Sequence, residues 1–103
     1  MTQFPIEIRH LRYFIAVAEA GTFTAAAKRL GLSQPAVSEQ MRRLESTLHI
    51  SLFQRKGKRI YLTSGGLIFE DYARSILGTM EKLVLQINRQ ARQNRGRIPA
   101  RNR

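Results

Sequence analysis

Residues 21–48 read GTFTAAAKRLGLSQPAVSEQMRRLESTL, and how this stretch folds decides the architecture. It divides into two helical segments around Gly31-Leu32-Ser33. Thr22 stands ahead of the first, where its side-chain oxygen can accept an N–H of the opening turn. The segment that follows, 23–30, is short and carries Ala25, Ala26 and Ala27, small enough to let a neighbouring helix approach closely. Gly31 suits the left-handed position just past a helix end. Leu32 is expected to plug the core, and Ser33 to cap the second segment. That segment opens with Gln34 and Pro35; proline is tolerated in a first turn, where its missing N–H is not needed. Val37, Met41, Leu44 and Leu48 then recur at spacings of four, three and four and form one buried stripe. At about 100° per residue, Pro35, Glu39 and Arg42 fall on the opposite face, flanked by Gln34, Ser38 and Arg43.

Working outward, Leu11, Phe14, Val17 and Ala18 set a helical period over 8–20, and Gly21 ends it. Beyond His49 the pattern becomes strand-like. Leu52-Phe53-Gln54-Arg55 and Arg59-Ile60-Tyr61-Leu62 bracket Lys56-Gly57-Lys58, which reads as a hairpin with a cationic tip of Arg55, Lys56, Lys58 and Arg59. Thr63 can cap a last helix despite Gly65 and Gly66 in its first turn. Along it, Phe69, Ala73, Ile76, Met80, Leu83 and Ile87 recur at heptad-like spacing, widened by Ile68, Tyr72, Leu77 and Val84. A helix of about 28 residues would be roughly 40 Å long, more than the small preceding domain can cover. The seam is therefore expected to pair two copies of the chain; packing within one chain is the alternative. The expected organisation is a mostly α, winged helix-turn-helix over 1–62, a linker and dimerisation helix over 63–92, and a basic tail over 93–103 that is expected to be disordered.

The chain of 103 residues has 18 Lys and Arg against 7 Asp and Glu, a formal net charge of +11. Such an excess attracts polyanions at long range, nucleic acid first and an anionic membrane second. Six of the arginines lie in 88–103, leaving 12 basic and 7 acidic residues in 1–87. The tail is either a solvated end or an arm that tracks phosphates. Cysteine is absent, which excludes a disulfide scaffold and a thiolate metal site. The start, Met1-Thr2-Gln3-Phe4-Pro5-Ile6-Glu7, lacks the basic and apolar parts of a secretory signal, and no run approaches the roughly 20 apolar residues of a membrane span. A cytoplasmic protein is expected.

Two helices joined by a tight glycine turn make the helix-turn-helix pattern. The major groove admits one α-helix, and base edges there carry a distinct donor and acceptor code. Helix N-termini, here at Thr22 and Ser33, attract phosphate through free N–H groups and the helix dipole. A basic hairpin can add contacts in a minor groove. On this reading Gln34, Pro35, Ser38, Glu39 and Arg42 face the major groove. Thr22, Thr24, Ser33, Arg43, Arg55, Lys56, Lys58 and Arg59 serve the backbone and wing.

The pieces taken together carry a resemblance. Leu11-Arg12-Tyr13-Phe14, Gly21 through Ala27, Leu32 through Ser38, Leu44-Glu45, Leu52-Phe53-Gln54-Arg55 and Leu62-Thr63 are similar to the N-terminal DNA-binding domain of LysR-type transcriptional regulators. The likeness runs over about 8–90. It implies a winged helix-turn-helix with a dimerising linker helix, Gln34, Pro35 and Ser38 opening the recognition helix, and Lys58 where the family's wing uses a basic residue in the minor groove. It also implies an antiparallel pairing of two linker helices. Two departures stand out. Members often carry arginine directly after the serine, where this chain has Glu39; a glutamate cannot hold a phosphate or a guanine but can accept from a cytosine amino group. The family normally continues into a large effector-sensing domain, and this chain stops where that begins, as an excised domain or a truncated protein would. No cofactor and no small-molecule effector site are expected in it.

Other classes fit less well. His10 and His49 are the only histidines, fall in separate segments and have no nucleophile at hand; Gly65-Gly66 lacks the rest of a phosphate-binding loop. An enzyme is not expected. A membrane-surface helix would need a basic polar face, but Glu70, Asp71 and Glu81 interrupt it. A dimerisation-only antagonist of a full-length relative shares every feature except DNA affinity.

Overall fold

Hydroxyl side chains start three of the four helices among the described residues. In the computed structural model, which describes residues 4–94, Thr22 Oγ1 accepts the Ala25 N–H at 3.0 Å, Ser33 Oγ that of Ala36 at 3.2 Å, and Thr63 Oγ1 that of Gly66 at 3.0 Å. After α1 (Ile8–Ala20) these caps open α2 (Phe23–Leu30), α3 (Gln34–Leu48) and α4 (Ser64–Gln93). Between α3 and α4 lies an antiparallel hairpin, β1 (Phe53–Lys56) and β2 (Arg59–Leu62), paired Phe53 to Leu62 through Lys56 to Arg59. Gly57, at φ 61°, takes the first central position of the two-residue turn. Thus Lys56 and Arg59, expected at the tip, end the strands.

The core forms where α1, α2 and α3 cross and the hairpin closes over them. Phe14, Val17, Phe23, Ala26, Ala27, Val37, Met41, Leu44, Leu52 and Ile60 make one buried cluster. The expected stripes of α1 and α3 are its substance; Leu48 is half-buried at its edge. Phe14 is the hub, its ring 5.1 Å from Phe53 and 4.6 Å from Phe69. Burial of each such side chain is worth roughly 1.5–3 kcal/mol.

Gly21 joins three elements. At φ 80° it ends α1, its N–H donating to Val17 O, and its carbonyl accepts the Ile60 N–H of β2 at 2.8 Å. A Cβ there would stand 2.5 Å from the Arg59 guanidinium. At the start of α4, a Cβ on Gly66 would collide with the Leu52 carbonyl, so the two glycines that seem to weaken this helix let it dock against the hairpin.

Leu32 does not plug the core: it is 37% exposed. The turn after α2 is a Schellman motif, with Leu32 N–H bonded to Ala27 O and Gly31 N–H to Lys28 O, so the backbone is satisfied without burying the side chain. Leu30, the residue before the turn, packs on the core instead. A second Schellman motif ends α3 with His49 at φ 58°, a non-glycine residue in the left-handed region.

The expected inter-chain seam on α4 also needs correcting at its near end. Ala73 is 1% exposed, and Phe69 is half-buried against Phe14. Both face this chain's own core, because α1 lies across the first turns of α4. Farther along the cover stops: every residue from 79 to 94 is exposed. Ile76, Met80, Leu83 and Ile87 keep open apolar surface. The basic tail from 95 onward lies outside the described residues.

Candidate nucleic-acid interface

The stripe Val37, Met41 and Leu44 is sunk in the core, so the rest of α3 is turned outward. Pro35, Ala36, Arg42 and Arg43 are exposed, and Gln34, Ser38 and Glu39 are half-buried along the same side. Ala36 was not singled out in the sequence; its small exposed side chain leaves the start of α3 unobstructed.

The hairpin's pleat sorts the four expected wing cations. Its inner face holds the half-buried Phe53 and Leu62 and the buried Ile60, and strand alternation and register put the exposed Arg55 on that same side, with Gln54, Lys56, Arg59 and Tyr61 on the outer face. Arg55 therefore points back toward the helices, its guanidinium 5.0 Å from the centroid of the Phe23 ring. Thr22, Thr24, Gln34, Arg55, Gly57 and Lys58 line one depression of about 470 Å³ between the N-terminus of α2, the start of α3 and the turn. Arg55 also lines a neighbouring hollow with Ser38 and Arg42. The structure thus brings Thr22, Thr24, Gln34, Ser38, Arg42, Arg55 and Lys58 onto one continuous surface. It does not bring Lys56 and Arg59 there: Lys56 lies over Tyr61 at 6.0 Å, and the Arg59 guanidinium sits beside Gly21. Thr22 and Ser33 use their oxygens as helix caps, which leaves their hydroxyl hydrogens to donate.

Glu39 is a hub of charge on this face. Its Oε1 accepts Arg42 Nε–H at 3.0 Å, and its Oε2 accepts Arg42 Nη2–H at 2.6 Å and Arg43 Nε–H at 3.0 Å. The hydrogen bond from Arg42, then that from Arg43, holds the Glu39 carboxyl below its ordinary value, and the same contact raises Arg42. Ion pairs this open to solvent add little to stability. The signal for them was present in the i, i+3 and i, i+4 spacings.

Glu45 gave no such local signal. Its Oε2 accepts the Leu52 N–H at 2.8 Å and the Phe53 N–H at 3.1 Å, with the Ser51 hydroxyl at 3.4 Å, and so ties α3 to the start of the hairpin. A second network joins α1, α2 and α4, in which Glu19 meets Arg29 at 3.7 Å and Arg74 at 3.1 Å, and Arg74 also meets Glu70. His10 Nδ1 accepts the Glu7 N–H at the start of α1, and His49 ends α3. Among the described residues no group of three His, Cys, Asp or Glu is placed to hold a metal ion, and no helix is long and apolar enough to cross a membrane.

A bracing helix, a second helix with an open polar face and a cationic hairpin beside it define a winged helix-turn-helix domain of the nucleic-acid-binding class. The family model described as "Bacterial regulatory helix-turn-helix protein, lysR family" matches residues 8–67, and the chain belongs to that family. It is 51% identical over 72 residues to the HTH-type transcriptional regulator TcbR of Pseudomonas sp. (strain P51), covering 70% of this chain and 24% of the relative. It is 43% identical over 77 residues to the HTH-type transcriptional regulator TfdT of Cupriavidus pinatubonensis, covering 75% of this chain and 34% of the relative. The chain therefore spans about a quarter to a third of the length of these relatives, whose names place them among transcriptional regulators. The crystal structure of BenM DBD in complex with catB site 1 DNA superposes with a TM-score of 0.82 at 37% identity, covering 88% of this chain and 98% of that one.

Proposed function

We propose that this chain is the DNA-binding part of a dimeric LysR-type transcriptional regulator and binds double-stranded DNA with sequence specificity. The observation that carries the proposal is the single surface on which Gln34, Ser38 and Arg42 of α3 adjoin Thr22, Thr24, Arg55 and Lys58. On it, α3 enters the major groove. Gln34 pairs with an adenine edge, Ser38 with a base or a phosphate, and Pro35, Glu39 and Arg42 complete the face. The N-termini of α2 and α3, with Thr22, Thr24, Ser33 and Arg43, hold phosphates. Arg55 and Lys58 add backbone or minor-groove contacts, and Lys56 and Arg59 reach phosphates from the outer face of the wing. The fold of a relative solved with DNA supports the same docking.

Residues 1–62 act as the reading head and 63–92 as the linker through which two copies pair. The open apolar positions Ile76, Met80, Leu83 and Ile87 support that pairing; Phe69 and Ala73 contribute by holding the linker to the head. A two-fold protein places its recognition helices on half-sites about one helical turn apart, or a multiple of it. Such a regulator acts where the bacterial genome lies, in the cytoplasm, and needs no cofactor in this part of the chain.

Selection of bound sequences from a random DNA pool tests this reading. The expected result is a consensus with two-fold symmetry. Gln34→Ala and Ser38→Ala should each relax one position, at a cost of roughly 1–3 kcal/mol. An unchanged consensus in both variants would refute the assignment of α3. A dimer with no DNA affinity would instead establish the antagonist reading.

A further inference from the structure

Glu39 stands in the middle of the DNA-facing side of α3, yet it brings a negative charge to a surface meant for a polyanion. Its geometry is also specific. The carboxylate grips Arg42 through Nε and Nη2, the side-on fork of the guanidinium, and takes Arg43 through Nε. A guanidinium has five N–H donors, and a side-on grip leaves the end-on pair on Nη1 and Nη2 unused. That end-on pair matches O6 and N7 of a guanine. The grip also sets direction. Side chains on a helix lean toward its N-terminus, and Glu39 draws Arg42 back over the turn that holds Ser38, so both line the same hollow. Reading helices contact base edges with their N-terminal residues.

We propose that Glu39 is a positioning residue that sets base preference. By holding the side-on fork of Arg42, it withdraws that guanidinium from phosphate and offers its end-on edge to one guanine in each half-site, while Arg43, held through Nε alone, keeps its remaining donors for the backbone. This rests on the DNA-binding reading above and adds a specific division of labour to it. Arg42 touches the base, and Glu39 acts only through Arg42. The arrangement exchanges affinity for discrimination: a free Arg42 would bind any phosphate it reaches, whereas one held by the carboxylate leaves the base edge as its favoured partner.

The test is pool selection and salt-dependent binding with the 103-residue chain and its variants Glu39→Ala, Arg42→Ala and the double variant. Glu39 and Arg42 are solvent-facing, and a thermal melt of each variant by circular dichroism establishes that it is folded before binding is measured. Wild type should select a guanine that Arg42→Ala abolishes. Glu39→Ala should relax that same position roughly fivefold or more. It should also tighten binding to random-sequence DNA and steepen the logarithmic salt slope by about 1, because a freed Arg42 that engages a phosphate adds about one released counterion. With Arg42 already removed, the further Glu39→Ala change should leave base preference where it was. Three outcomes would overturn the proposal while leaving the DNA reading intact: a consensus unchanged by Glu39→Ala, a guanine unaffected by Arg42→Ala, or a cytosine preference lost in Glu39→Ala but kept in Arg42→Ala, which would make Glu39 itself the reader. A wild-type chain that retains no DNA overturns both readings.

Discussion

Removing the carboxylate of Glu45 should loosen the hairpin more than the loss of one surface acid would suggest. Its Oε2 accepts two backbone N–H groups, from Leu52 at 2.8 Å and Phe53 at 3.1 Å, and the Ser51 hydroxyl lies at 3.4 Å. The residues that supply the two N–H groups are the fully buried Leu52 and the half-buried Phe53, which packs on Phe14 and Phe23. A hydrogen bond to a charged group contributes about 1.5–3 kcal/mol when well enclosed, and less where water can replace it. These bonds are only part-buried, so about 1 kcal/mol each is a reasonable measure, and Glu45→Ala should cost about 2–3 kcal/mol. Glu45→Gln keeps an oxygen acceptor but loses the charge, and should cost about half as much. Urea unfolding followed by circular dichroism measures both, with an unchanged slope showing that only stability moved. A loss below about 0.5 kcal/mol in Glu45→Ala, the range of an ordinary surface substitution, would refute the reasoning.

His49→Gly should stabilise the chain by about 0.5–1 kcal/mol, because relief of the left-handed strain of an L-residue outweighs the extra freedom glycine gains on unfolding; a lower melting temperature would contradict it. Lys58→Ala should weaken binding about equally on all DNA sequences and lower the salt slope by about 1, and an unchanged slope would mean that the turn is merely solvated. Ile76→Asp combined with Leu83→Asp should convert a dimer to a monomer in sedimentation at micromolar concentration, since each side chain buried on pairing is worth roughly 1.5–3 kcal/mol. A wild-type monomer, or a dimer indifferent to both changes, would overturn the pairing.

Features with a local origin were legible in the sequence. Thr22, Ser33 and Thr63 cap the helices expected of them, because a cap and its partner lie three residues apart. The stripe of α3 follows from helical period alone, and the hairpin from a glycine between apolar runs. What escaped depends on distance along the chain. The seam on α4 has one unbroken period, but nothing in that period tells Ala73, covered by α1, from Leu83, which is open. Glu45 finds its partners seven and eight residues on. Arg55 looks like its neighbour Lys56 in sequence; the pleat turns one toward Phe23 and the other toward Tyr61. Leu32 departs from expectation because an apolar residue after a glycine turn invites burial, while the turn itself satisfies the backbone without it.

The junction between wing and linker has a mechanical consequence. β2 ends at Leu62, Thr63 caps, and α4 begins at Ser64, so no slack residue separates them. Thr63 is fastened on three sides: its N–H to Leu52 O at 3.0 Å, its hydroxyl to Ser51 O at 2.6 Å, and its oxygen to the Gly66 N–H. From another side Phe69 of α4 packs on Phe14 of α1 at 4.6 Å, and Arg74 meets Glu19 at 3.1 Å. The helix is thus a stiff lever welded at its root. With 30 residues it is about 45 Å long, and a tilt of about 10° at the root would sweep its far end through roughly 8 Å. Run in reverse, a displacement of several ångströms imposed at the far end reaches the wing as a rotation of a few degrees, geared down in amplitude and multiplied in force.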